Sequence, residues 1–188
     1  HQAIIQHGQQ HYETEGMGTT IVIVWILEKQ AYIAWCGDSR CYSFNPEKGL
    51  KRLTKDHSYV QDLIDEGTIT PEEAFNHPDN NIITRCLGDV ETACEPDILS
   101  YEIRPGDIFL SCSDGLCGYC KDKEIETIMY QYYDKLDCCS DQLLNLALKA
   151  GGYDNITISL CATLPDNMHT VKTPFFIKIK SWIHQLFS

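Results

Sequence analysis

From Thr19 to Leu27 the chain runs Thr-Thr-Ile-Val-Ile-Val-Trp-Ile-Leu, and this β-branched apolar run predicts a buried strand. A polar turn at Glu28-Lys29 precedes a second strand, Gln30 to Cys36. Cys41 to Phe44 and Leu50 to Leu53 predict a hairpin around Asn45-Pro46-Glu47-Lys48-Gly49. Ile98 to Ile103 and Asp107 to Ser113 predict two strands joined at Arg104-Pro105-Gly106, and Asn155 to Thr163 predicts the last one. Helical patterns fall at 2–13, about 122–132 and about 140–150. Residues 54–90 differ from both neighbours. They are polar, Ser58 can cap a helix that Gly67 ends, and Pro71 can open another. The pattern predicts an α+β fold with two facing antiparallel sheets flanked by helices.

Composition narrows the class. A chain of 188 residues with 43% hydrophobic content suits one domain with a sizeable core. A net charge of -12 disfavours nonspecific nucleic-acid binding, which needs a basic surface. Of ten cysteines, Cys36, Cys86, Cys112 and Cys161 lie in or beside apolar runs, where a free thiol behaves as a small hydrophobe. That placement, with no visible signal peptide, predicts a reducing cytoplasm. Cys117-Gly118-Tyr119-Cys120 and Cys138-Cys139 lack the second matched pair of a closed zinc site and the βαβ setting of a thioredoxin-like pair. His7 and His11 are four residues apart with no third ligand indicated, which reads as an exposed helix face. Residues 165–188 form a basic amphipathic tail. Phe175, Phe176, Ile179, Trp182, Ile183 and Leu186 could make one helical face. The tail is too short and charged to span a bilayer. Docking on its own domain or on another chain is the preferred reading, with contact to a membrane surface as the alternative.

Candidate chemistry sits at strand ends. Gly37-Asp38-Ser39-Arg40, Ser113-Asp114-Gly115-Leu116 and Asp154-Asn155-Ile156-Thr157 each put a carboxylate beside a small or turn-forming residue at the edge of an apolar run. Taken singly, each reads equally as a plain turn. Together they could form a site for hard cations, which favour oxygen ligands and suit phosphoryl chemistry.

The order of these motifs and their neighbours resembles the metal-dependent PPM/PP2C family of protein Ser/Thr phosphatases, in its bacterial branch. The resemblance runs through Gly16-Met17-Gly18-Thr19-Thr20, Cys36-Gly37-Asp38-Ser39-Arg40, Leu53-Thr54-Lys55-Asp56-His57-Ser58, Gly67 to Ala74, His77-Pro78, Ile83 to Gly88, Cys112 to Leu116 and Asp154 to Thr157. It covers residues 1–164 and implies a PP2C-like antiparallel β-sandwich, with the 54–90 insertion as a flap beside the active site.

The resemblance also implies the chemistry. Phosphoserine and phosphothreonine in proteins, such as the substrates of a cognate Ser/Thr kinase, would be hydrolysed by a water activated by Mn²⁺ or Mg²⁺, with no phosphoenzyme. Asp114 and Asp154 match the ligands of the first metal. Asp38 matches a ligand of a third, weaker metal that Asp114 shares. Arg40, Asn155 and Thr157 would orient these carboxylates or hold the turns. Gly118 stands where some members carry another Asp, which weakens the third site. The family's early Asp or Glu and its Asp-Gly-x-Gly-Gly turn have no match here. The chain is therefore expected to be a piece of a longer protein, with an incomplete metal centre, open sheet edges and no activity of its own. The alternative is a non-catalytic phosphatase-like module that works by binding a partner.

Overall fold

The computed structural model describes residues 1–91, 94–163 and 177–182. Helix α1 (Gln2–Gln10) and a 3₁₀ turn (Tyr12–Thr14) lead into strands β1 (Ile21–Leu27) and β2 (Gln30–Cys36) and the hairpin β3 (Arg40–Asn45) and β4 (Gly49–Arg52). Two short helices follow, α2 (Tyr59–Asp65) and α3 (Pro71–Phe75). Then come β5 (Asp97–Glu102), β6 (Ile108–Cys112), a one-turn helix α4 (Asp114–Cys117), α5 (Asp122–Tyr132), α6 (Leu136–Lys149), β7 (Ile156–Ala162) and β8 (Ile177–Trp182). One sheet has the order β1-β2-β5, the other β4-β3-β6-β7-β8, and every pairing is antiparallel. The α+β reading holds.

Strand periodicity sorts the core into two layers. On β6, Ile108, Leu110 and Cys112 join the cluster under α5 and α6, with Ile125, Met129, Leu143 and Ile158. Phe109, between them in sequence, faces the other sheet beside Ile33, Trp35 and Leu53. Its ring meets Tyr101 edge-on at 5.6 Å between centroids. A strand covered on both faces is held more firmly than one exposed on a side. The ends of β6 and its neighbours β3 and β7 are therefore a rigid place from which to present side chains.

Ser58 caps α2 and Pro71 opens α3, as the sequence predicts, and a capping box not foreseen there precedes α3. Ser58 Oγ accepts from Gln61 N–H at 3.4 Å. Thr70 and Glu73 form a reciprocal capping box ahead of α3, with Pro71 in its first turn. Val60 and Ala74 are the buried apolar residues of these two helices.

Three local readings change. The run Ile21–Leu27 is an edge strand, not a buried one: Ile23, Trp25 and Leu27 are 47%, 62% and 50% exposed, while Val22, Val24 and Ile26 pack inward. Helix α6 begins at Leu136, four residues early, because Cys139 and Ser140 are fully buried and extend its inner face. In the tail, Ile177–Trp182 is a strand paired with β7 from Cys161↔Ile177 to Ile156↔Trp182, where a helical face is expected. The segment Ile-Lys-Ile-Lys alternates with period two, which a strand can use and a helix cannot. The rest of the proposed helical face, at 174–176 and 183–187, lies outside the described residues. Among the described residues no helix is long and apolar enough to cross a membrane.

Candidate metal and phosphate site

The sheet register brings the three acidic motifs together. Strands β3 and β6 pair with Arg40 opposite Cys112, so continuing past both strand ends brings Asp38 level with Asp114. Strands β6 and β7 pair with Cys112 opposite Ile158, which puts Asp154 at the same end of the sheet. The three carboxylates thus stand at one end of three adjacent strands. Asp114 occupies the middle.

Each turn is pinned by a different device. Gly37 has φ +112, and a Cβ there would lie 2.4 Å from Thr20 Cγ2, so only glycine lets the chain turn into Asp38 against β1. The same turn is clasped by His57, whose N–H donates to Gly37 O at 3.0 Å and whose Nδ1 accepts from Gly37 N–H at 3.0 Å. Because Nδ1 accepts, the ring proton sits on Nε2, which lies 3.4 Å from Asp97 Oδ2 without good hydrogen-bond geometry. Thr20 and Ser39 close the front of the turn, hydroxyl to hydroxyl at 2.8 Å.

Asp114 and Asp154 are tied by Ser113. Its hydroxyl donates to Asn155 O at 3.1 Å and accepts from Thr157 N–H at 3.0 Å, while its own N–H donates to Thr157 O at 3.1 Å. Asn155 N–H donates to Asp154 Oδ1 at 2.6 Å and fixes that carboxylate. Asn155 and Thr157 therefore act here through their backbones. Below Asp114, the buried Leu116 and Cys117 root α4 in the core.

Arg40 bonds Asp56, not Asp38. Its Nε reaches Asp56 Oδ1 at 3.1 Å and its Nη2 reaches Oδ2 at 2.7 Å, while Arg52 also pairs with Oδ1. Arg40 Nη1 also donates to Tyr42 OH at 3.3 Å, and that hydroxyl donates to Asp122 Oδ1 at 2.9 Å. This network fastens the start of the insertion to β3 and α5.

Burial and neighbouring like charges set the electrostatics. Burial, then the fields of Asp114 and Asp56, push the Asp38 carboxyl up to about 6. Burial, then Asp154, raises Asp114. The donors fit a hard divalent cation in kind, being carboxylate oxygens. They fit it in charge too, because a cation would relieve their repulsion. They are few: among the described residues, no group of three or more His, Cys, Asp or Glu is placed to hold a metal by itself.

Sequence reasoning passed over Ser113 and Asp56, although both lie inside motifs it identified. Their roles depend on partners 42 and 16 residues away. The available signals were a hydroxyl directly before Asp114 and an acid directly before His57.

Comparison with known proteins decides the family. The family model for protein phosphatase 2C matches residues 2–156. The chain belongs to the protein phosphatase 2C family. It is 40% identical over 159 residues to a putative protein phosphatase 2C-type protein of Streptococcus pyogenes, covering 85% of this chain and 63% of that one. The crystal structure of the serine/threonine phosphatase Stp1 from Staphylococcus aureus superposes with a TM-score of 0.79 at 39% identity, over 86% of this chain and 62% of that one. The catalytic domain of the phosphatase PstP, solved in complex with two manganese ions, gives 0.76 at 36% identity, over 87% and 66%. The chain thus spans less than two thirds of the curated relatives it matches.

The raised Asp38 makes stability depend on pH in this 2C-family domain. Its folded pKa, about 6, lies above its ordinary value of 3.8, so between those values the folded state binds more protons than the unfolded one. Stability from this group falls as pH rises from about 4 to about 6, and stays low above that. In metal-free buffer, Asp38→Asn is expected to be the more stable protein at pH 7.5. The gain is about 1 kcal/mol, roughly 2–4 °C in Tm, a small figure because solvent screens a partly exposed group. The advantage should vanish near pH 4. Thermal melts at both pH values check it, and an equal gain at both would contradict a raised Asp38 carboxyl.

Proposed function

We propose that the whole protein containing this domain hydrolyses phosphoserine and phosphothreonine in other proteins, using Mn²⁺ or Mg²⁺. The observation that carries this reading is the row Asp38–Asp114–Asp154 at one sheet end, each neighbour raising the next. A protein fold tolerates such repulsion where a cation relieves it. Asp114 and Asp154 would hold the first ion, and Asp38 with Asp114 the third, weaker one. Bound there, divalent ions supply activation of a water and neutralisation of phosphate oxygens. The chain's own part is geometric. Ser113 locks Asp114 to the Asp154 turn, His57 and Gly37 lock Asp38, and Arg40 holds Asp56 beside them. The 54–90 insertion, anchored on the Asp38 turn through His57, would act as a flap that governs phosphoprotein access. The proposed setting is the cytoplasm, among proteins phosphorylated by a Ser/Thr kinase.

Three carboxylates are fewer than a tight two-metal centre needs. That observation favours, for the 188 residues alone, the second reading: a phosphatase-like module that binds a partner without turnover. One experiment separates the readings. A phosphopeptide is offered to the whole protein and to residues 1–188, with Mn²⁺ and with excess chelator, while calorimetry follows Mn²⁺ binding. Turnover by the whole protein that chelation abolishes, with weak binding and no turnover for residues 1–188, is expected. Turnover that survives thorough chelation defeats the metal-dependent reading. Tight binding at two sites with turnover by residues 1–188 shows that the ligand set is complete.

A further inference from the structure

Cys36 ends β2, one residue before the glycine of the Asp38 turn. It is completely buried. Its Sγ lies 3.0 Å from the Sγ of Cys94, a partly exposed residue 58 positions later in the chain. A disulfide has S–S near 2.05 Å, so an approach of about 1 Å closes the bond.

Neither thiol is free to drift. Cys36 sits in the β1–β2 ladder opposite Ile21. Cys94 precedes β5, and the chain just after it is held by Arg85, whose Nη1 donates to Glu95 O at 3.0 Å and to Asp97 Oδ1 at 2.8 Å. Asp97 in turn pairs with Trp35, the residue before Cys36, in the β2–β5 register. The two sulfurs thus lie at the end of β2 and just ahead of β5, neighbouring strands whose pairing is fixed within a few residues of each. A third thiol, Cys86, adjoins Arg85 and is near enough to both to compete for the pairing.

We propose that Cys36 and Cys94 form a peroxide-generated, thiol-reversible disulfide that ties the chain beyond the 54–90 insertion to the turn carrying Asp38. Cys94, the reachable thiol, is oxidised first: R–SH and hydrogen peroxide give R–SOH and water. The buried Cys36 thiol then attacks the sulfenic sulfur. The S–S bond forms, the S–O bond breaks, and the Cys36 proton leaves with the hydroxyl as a second water. Two thiols lose two electrons and two protons, and one peroxide is reduced to two waters. A dithiol reverses the bond by exchange.

The bond has a specific mechanical consequence. Residues 37–93, which include the whole insertion, become a covalently closed loop. The closure runs parallel to an existing non-covalent path, in which Gly37 is clasped by His57 and His57 faces Asp97. Oxidation therefore fixes the insertion's exit strand against the strand end that presents Asp38. The proposal is independent of whether the chain is catalytic.

Peptide mapping tests it. The 188-residue chain is treated with equimolar to tenfold hydrogen peroxide, free thiols are alkylated, and the chain is cleaved after Arg and Lys and after Glu. Cleavage at Glu91 separates Cys86 from Cys94. The expected product is a peptide containing Cys36 joined to one containing Cys94, with loss of two alkylatable thiols and about 2 Da per chain, restored by dithiothreitol. Cys86→Ser should give the same product. Cys94→Ser, at a partly exposed site, should leave Cys36 alkylatable after denaturation. A dominant Cys86–Cys94 or Cys36–Cys86 link overturns the assignment. Sulfinic acid at Cys94 with Cys36 still reduced overturns it as well, because the buried thiol would then have failed to resolve the first oxidation.

Discussion

Replacing Asp114 by Ala in the whole protein is expected to lower kcat/KM for a phosphopeptide by about 10³-fold, roughly 4 kcal/mol of transition-state stabilisation. Asp38→Ala should cost far less, about tenfold. The difference follows from position. Asp114 is the middle member of the row, raised by Asp154 on one side and itself raising Asp38 on the other. A carboxylate with two acidic neighbours can share a cation with each, while one at the end of the row shares with one. Asp114→Ala should not unfold the protein, because it removes a repelled charge and leaves Ser113, Leu116 and Cys117 in place. Steady-state kinetics with saturating Mn²⁺, beside thermal melts of each variant, makes the comparison. Equal losses for the two variants, or a larger loss for Asp38→Ala, would place the centre of the site elsewhere.

Much of this arrangement is legible in the sequence, for physical reasons that can be named. The hairpin β3–β4 is announced by Asn45-Pro46-Glu47-Lys48-Gly49, the cap of α2 by Ser58, whose side chain satisfies a free N–H of the first turn, and the start of α3 by Pro71. These are local signals, and local interactions carry them into the fold. The error at β1 has a different origin. Hydropathy shows that Ile23, Trp25 and Leu27 are apolar, but not whether anything covers them, since an edge strand and a central strand can share one composition. The tail misled in a related way. Ile179 and Trp182 satisfy helical spacing while Ile177 and Ile179 satisfy strand spacing, and pairing with β7 selects the second.

The site divides along the same line. Asp38, Asp114 and Asp154 stand out because carboxylates at strand ends recur in family order. The residues that hold them do not. Ser113 is one serine among several until the β6–β7 register sets it against Asn155 and Thr157. Asp56 acquires its two arginines only when β3 and β4 pair. Groups that would touch a ligand are legible as chemistry, whereas groups that position them become legible only as register.

Gly115→Ala should show how closely that register and the site are coupled. A Cβ on Gly115 would lie 2.3 Å from Asn155 O and 2.9 Å from Asn155 C, with Ile156 Cα at 3.2 Å. All three are backbone atoms, so no side chain can swing aside. Relief requires α4 to move away from the start of β7. That movement stretches both hydrogen bonds of the Ser113 hydroxyl, and it lifts Leu116 and Cys117 out of a core in which both are almost completely buried. Overpacking against fixed backbone costs about 1–3 kcal/mol or more, and loss of the Ser113 bridge adds about 1 kcal/mol. A destabilisation of about 3 kcal/mol is expected, seen as a fall of roughly 6–12 °C in Tm for a domain of this size. The same movement separates Asp154 from Asp114, so in the whole protein Mn²⁺ affinity should fall even under conditions where the variant is fully folded. Chemical denaturation and Mn²⁺ calorimetry on one sample read both effects. A Gly115→Ala protein with unchanged stability and unchanged Mn²⁺ affinity would mean that α4 and β7 are not held as tightly together as this geometry requires.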